Sequence, residues 1–161
     1  MWDRLILFRN EIKEDTRDAI LELKGGNVRP VIITGDNAQC GLYIGRKSGI
    51  LNSNSTVYLA EADKKGNVSW KDINAVRLGG SKATAKTVST DEVLGWATNR
   101  GAEAMKKVEL AVTGKAFDIL VESGAMARLH LFTRIFARMS PEGKVTAVSV
   151  NVTQGTILIK S

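Results

Sequence analysis

Val28-Arg29-Pro30-Val31-Ile32-Ile33-Thr34-Gly35-Asp36-Asn37 is the stretch from which the fold is read. Its β-branched run is continuously apolar up to Thr34, as suits a strand buried on both faces of a parallel sheet. Gly35-Asp36-Asn37 stops it. Ala38 to Lys47 follows with helical character, Leu42, Tyr43 and Ile44 lying partly on one side, and Gly49 supplies the stop. Ahead of the strand, Glu14 to Lys24 reads as a helix. Acidic residues fill its first turn, Lys24 sits in its last, and Gly25-Gly26 end it. Helix, strand, turn, helix is the alternation of a doubly wound α/β sheet.

Working outward, Leu5 to Phe8 predicts a short strand. Thr56 to Glu61 and Val68 to Lys71 predict two strands joined by a hairpin-like turn at Lys64 to Asn67. Residues 79–90, rich in Gly, Ser, Thr, Lys and Ala, predict a surface loop, and Asp91 to Lys107 a helix. Val108 to Thr113 reads as a strand feeding a helix from Gly114 that ends at Ser123-Gly124. Arg134 to Ala137 is another strand, with Ser140 as N-cap and Pro141 at the first position of the next helix. Val148 to Val152 and Thr156 to Ile159 alternate like two strands.

Composition bounds the class. The chain has 161 residues, 43% hydrophobic and 25% charged, which fits one globular domain and excludes wholesale disorder. No apolar run is long enough to span a membrane. The single Cys40 excludes an internal disulfide, and with the single His130 it makes a Cys/His zinc site untenable, so no metal site is expected. A reducing compartment fits best. The formal charge of +6 points to phosphate, nucleic acid or a solvated basic surface. No helix-turn-helix, RNP or zinc signature supports nucleic acid.

Two strand-to-helix junctions carry candidate chemistry. At Thr34-Gly35-Asp36-Asn37 a strand delivers a hydroxyl, a glycine that admits close backbone approach, and a carboxylate to the carboxyl edge of the sheet. Helix N–H groups follow and favour phosphate. The bland reading is a turn with Asp36 or Asn37 as N-cap. At Phe136 to Lys144 a second strand end offers Arg138, a bidentate fork, and Lys144, a point charge roughly one and a half turns on. The bland reading there is a capped helix with solvated cations. Gly79-Gly80-Ser81-Lys82 lacks the full phosphate-loop pattern and reads as loop. His130 and Cys40 read as packing residues.

The two junctions, in this order and separation, resemble the phosphorylation domain of P-type ATPases. EDTRDAILELKGGNVRPVIITGDN (14–37), IGRKSGI (44–50), ELAVTGKAFDIL (109–120) and FARMSPEGK (136–144) all match, and the last two are similar to the type-five group, B subgroup, of polyamine and cation transporters. The resemblance implies a haloacid-dehalogenase-like Rossmannoid parallel sheet flanked by helices, incomplete here and carrying a small β/loop insertion. Residues 1–147 form the partial domain, and 148–161 a divergent β-like tail. It implies that Thr34, Gly35 and Lys144 face the transferred phosphoryl group. Asp36, Asn37 and Arg138 would bind nucleotide, with Asn37 capping the loop. ATP and Mg2+ would serve the parent protein, and the fragment would require neither.

The departures shape the rest. The family's acceptor Asp lies in a DKTGT motif that this chain lacks, and VTAVSVNVTQGTILIKS stands where a GDGxND motif is expected. Gly143 stands where the family has a better helix former. The chain is therefore expected to be an inactive piece of a membrane transporter of the endo-lysosomal system. It would sit on the cytosolic side and be soluble by itself. Its partners would be the acceptor strand and the nucleotide-binding, actuator and membrane domains of the parent, and not nucleic acid. Open sheet edges predict a homodimer or strand exchange. A small basic nucleic-acid-binding domain and a haloacid-dehalogenase-like phosphatase are the alternatives.

Overall fold

A computed structural model describes residues 11–73, 87–99 and 108–153. In chain order the elements are α1 (Thr16–Gly25), β1 (Ile32–Ile33), α2 (Ala38–Ser48), β2 (Thr56–Ala62), β3 (Val68–Asp72), β4 (Thr87–Ser89), α3 (Thr90–Asn99), β5 (Val108–Thr113), α4 (Gly114–Glu122), α5 (Met126–Leu129), β6 (Thr133–Ala137) and α6 (Pro141–Thr153). They build one six-stranded sheet in the order β1-β6-β5-β2-β3-β4. β1, β6, β5 and β2 run parallel, whereas β3 and β4 add antiparallel. The α/β architecture matches the expectation and is compatible with a Rossmann-like fold, but the sheet is mixed, its parallel part extended by an antiparallel pair. The 56–71 insertion joins the main sheet because β2 pairs with β5 along five residues, from Thr56–Val108 to Ala60–Val112.

Alternation along the parallel strands sorts the core into two layers. Leu110, Val112 and Phe136 join Phe117, Leu120 and Ala147 on one face. Ala111, Ile135 and Ala137 meet Ala38 and Leu42 on the other. Phe117 and Phe136 stack edge to face at 5.7 Å, a favourable aromatic geometry. α2 lies unusually close to the sheet. A methyl carbon at Gly41 would sit 2.8 Å from Ile135 Cγ2, and one at Gly45 would sit 2.9 Å from Leu51. α2 ends as its sequence predicts, with Gly49 left-handed at φ 80°.

Three local expectations are corrected. The stretch read as a strand from Val28 to Thr34 is a strand only at Ile32–Ile33. Thr87 to Ser89, placed in the surface loop, pairs with Ser69 to Lys71, and Thr90 opens α3. There the indole of buried Trp70 donates to Thr90 Oγ1 at 3.2 Å and fixes the junction. Val148 to Val152, read as a strand, continues α6. Burial there repeats every four residues, at Gly143, Ala147 and Asn151, so the apparent two-residue alternation is incidental. The Asn151 amide donates to Ala147 O, and Arg29 Nη2 donates to Asn151 Oδ1 at 2.5 Å. Residues 5–8, 79–86, 100–107 and 156–159 lie outside the described residues.

The opposite, amino edge of the sheet is tied by buried polar groups. Glu109 accepts from the Asn52 N–H at 3.0 Å and from the Ser55 hydroxyl, and it pairs with Arg134 at 3.6 Å. Arg29 donates to the carbonyls of His130, at 3.0 Å, and Thr133, at 3.1 Å. Burial, with the nearby Arg134 charge, pulls Arg29 down to about 10, so it stays protonated at neutral pH. His130 is 2% exposed, its Nδ1 lies 2.9 Å from Ala127 O, and its buried Nε2 meets no partner among the described residues.

Burial, aided by the Arg29 charge, holds the His130 imidazole below its ordinary value, against the pull of the Ala127 and Met126 carbonyls. The unfolded chain takes up the proton near pH ~6.5 and the folded chain resists it. Stability is therefore complete above that pH and declines as pH falls through and below it. Urea unfolding at pH 7.5 and 5.5 should show this loss, and His130→Gln should remove its share of the difference.

Candidate functional site

Three strand-to-helix turns meet at the carboxyl edge of the sheet. They are β1–α2 at Thr34 to Asn37, β6–α6 at Arg138 to Ser140, and β5–α4 at Thr113-Gly114. Backbone hydrogen bonds lock the first two together. Thr34 N–H donates to Phe136 O at 2.8 Å, Arg138 N–H to Asp36 O at 2.8 Å, and Met139 N–H to Thr34 O at 3.0 Å. β1 and β6 are neighbours, yet α2 packs on the Ala111–Ile135 face and α6 on the Phe136 face. Their carboxyl ends therefore form a topological switch point, where open α/β sheets bind ligands.

Each predicted residue has a definite place. Thr34 Oγ1 accepts from the Asp36 N–H at 3.1 Å, which closes the turn and leaves the hydroxyl proton available to a ligand. Gly35 is exposed beside Met139 O, and Asp36 is exposed. Asn37 Oδ1 accepts from the Cys40 N–H at 2.9 Å, so Asn37 is the N-cap of α2. Ser140 Oγ accepts from the Gly143 N–H at 2.9 Å and caps α6, as its sequence predicts. Lys144 is exposed in the first turns of α6.

Arg138 is the unusual member. Its φ is +53°, a left-handed conformation that costs a non-glycine residue roughly 1 kcal/mol or more. It lines an open cavity of about 520 Å³ together with Asn37, Gln39, Thr113, Lys71 and Asp72. The cavity gathers Asn37 and Arg138 from the predicted set. Thr34, Gly35, Asp36 and Lys144 do not line it. Sequence reasoning missed Thr113, whose hydroxyl donates to Ala60 O at 3.1 Å, and the Lys71–Glu61 pair at 3.2 Å. Thr113-Gly114 repeats the Thr34-Gly35 pattern at a strand end, and that repetition was the available signal. Lys71 and Glu61 come from the hairpin and carried none.

A guanidinium and the N–H groups opening α2 present positive potential to the cavity, whereas Glu61 and Asp72 bound its other side. An anion bearing hydroxyl or amine groups suits such a lining. Arg138→Gly should raise stability by up to about 1 kcal/mol in urea unfolding, because glycine adopts positive φ freely. A clear loss of stability would instead show that the Arg138 side chain is part of the packing.

No family model matches the chain. It is 31% identical over 153 residues to "Probable cation-transporting ATPase 13A4" of Mus musculus, covering 89% of this chain and 12% of that protein. "Vacuolar cation-transporting ATPase YPK9" of Saccharomyces cerevisiae is 28% identical over 152 residues, covering 86% of this chain and 10% of that protein. "Polyamine-transporting ATPase 13A3" of Macaca fascicularis is 24% identical over 151 residues, with 89% and 12% covered. The chain therefore spans about an eighth or less of the length of these relatives. Among the described residues no helix is long and apolar enough to cross a membrane. These relatives are named as cation- or polyamine-transporting ATPases, and the chain is similar to one segment of each.

Proposed function

We propose that the chain is part of the phosphorylation domain of an ATP-driven cation or polyamine transporter of the P5 type, B subgroup, with a haloacid-dehalogenase-like fold. The observation that carries this reading is the locking of the Thr34–Asn37 and Arg138–Ser140 turns at the switch point. Similarity to transport ATPases along almost the whole chain supports it. In this reading Thr34 and Gly35 face the transferred phosphoryl group, and Lys144 offsets its charge. Arg138 meets the ribose or phosphate of ATP, Asp36 lies near the nucleotide, and Asn37 holds the turn.

ATP fits the residues present, since Arg138 and the start of α2 offer cationic and N–H donors to an anion. In this reading Mg2+ takes its carboxylate ligands from the remainder of the parent and its other oxygens from water and phosphate. The acceptor carboxylate likewise belongs to the remainder of the parent, together with the nucleotide-binding, actuator and membrane domains. β1 stands at one end of the sheet, paired with β6 among the described residues, and offers its other edge to such a strand or to a second copy. The parent would be an endomembrane or endo-lysosomal protein with this segment on the cytosolic side.

Reading the coding sequence on both sides gives the first test. An upstream DKTGT and a downstream GDGxND in one gene are expected, and the absence of both would overturn the proposal. In an NMR titration with ATP, the amides of Thr34, Gly35, Asn37 and Arg138 should shift together. Shifts confined to other residues would contradict the site.

A further inference from the structure

Gly114 begins α4 at the end of β5, and nothing about its backbone demands glycine: it is not among the positive-φ glycines. The demand is steric. A methyl carbon at Gly114 would lie 2.5 Å from the Arg138 carbonyl oxygen, 3.4 Å from the Arg138 carbonyl carbon and 3.7 Å from Met139 Cα. The first distance is far inside van der Waals contact, and all three atoms are main chain. No flexible side chain can give way.

The same peptide is held from its other side. Arg138 N–H donates to Asp36 O at 2.8 Å, and Met139 N–H donates to Thr34 O at 3.0 Å. Arg138 is thus gripped between the β1–α2 turn and the bare Cα of Gly114. In that grip its φ is +53° and the residue lines the cavity. An ordinary negative φ would redirect both the carbonyl and the side chain.

We propose that Gly114 is a positioning residue for Arg138: the missing side chain at the start of α4 admits the Arg138 carbonyl and so sets the left-handed turn that aims the guanidinium into the cavity. The value of that aim rests on the reading of the cavity as a subsite for an anion such as ATP. The positioning itself does not.

The test uses the full chain with Gly114→Ala, alone and combined with Arg138→Gly. Backbone chemical shifts and coupling constants of Arg138 report its φ directly. In Gly114→Ala they should leave the left-handed range, and ATP affinity by titration should fall by about tenfold or more. Thermal stability should also fall, and Arg138→Gly should restore more of it than the gain the same change brings to the wild type, because glycine at position 138 lets the peptide swing away. This rescue keeps the proposal testable even if Gly114→Ala alone folds poorly. Unchanged Arg138 shifts, or an Arg138→Gly gain no larger in Gly114→Ala than in the wild type, would overturn it. A wild-type chain that ignores ATP would contradict the nucleotide reading, while the Arg138 shifts and the rescue would still decide the positioning.

Discussion

Three main-chain hydrogen bonds join the turn after β1 to the end of β6 and the turn that follows it, and they organise the functional end of this molecule. Each is worth only about 1 kcal/mol net, but their geometry matters more than their sum. They join residues about a hundred positions apart in sequence, and they do so where two adjacent strands send their helices to opposite faces. Once Thr34, Asp36, Arg138 and Met139 are locked, the starts of α2 and α6 are fixed as well. The caps at Asn37 and Ser140 then satisfy N–H groups that would otherwise be left without partners.

The rest of the fold serves this arrangement. α2 sits close to the sheet because Gly41 and Gly45 face Ile135 of β6 and Ile32 of β1. At the far edge, Glu109 draws together Arg134, Ser55 and Asn52, although Glu109 Oε1 and Arg134 Nη1 are buried without a hydrogen-bond partner among the described residues. Arg29 bridges the approach to β1, the approach to β6 and the last turns of α6. Burying these charges is costly unless they are paired. Their placement pins the same strands and helix at the opposite end from the candidate site.

The legible parts of the sequence were those with local chemistry. Gly49 stops α2, Ser140-Pro141 opens α6, and Thr34–Asn37 marks a strand-to-helix turn; each rests on φ preference or capping within a few residues. The illegible parts depended on distant partners. Val148 to Val152 alternates like a strand, yet a helical hydrogen-bond ladder, the Ala147 layer and the Arg29 contact to Asn151 make it helix. β4 is strand because β3 accepts it as a neighbour, which no property of Thr87 to Ser89 announces. The cavity draws its walls from α2, β2, β3, β4 and the ends of β5 and β6, so only two of the six predicted site residues line it. Thr113 and Gly114 were visible as a second Thr-Gly at a strand end, but their bearing on Arg138 needed the three-dimensional approach of the two turns.

The candidate site depends on the two turns being one rigid unit, and amide hydrogen exchange measures that most directly. The N–H groups of Thr34, Arg138 and Met139 should exchange as slowly as those of the central strand residues Leu110 and Val112. Fast exchange at Arg138 and Met139, with the central strands still protected, would show that the turns move independently and would contradict the account.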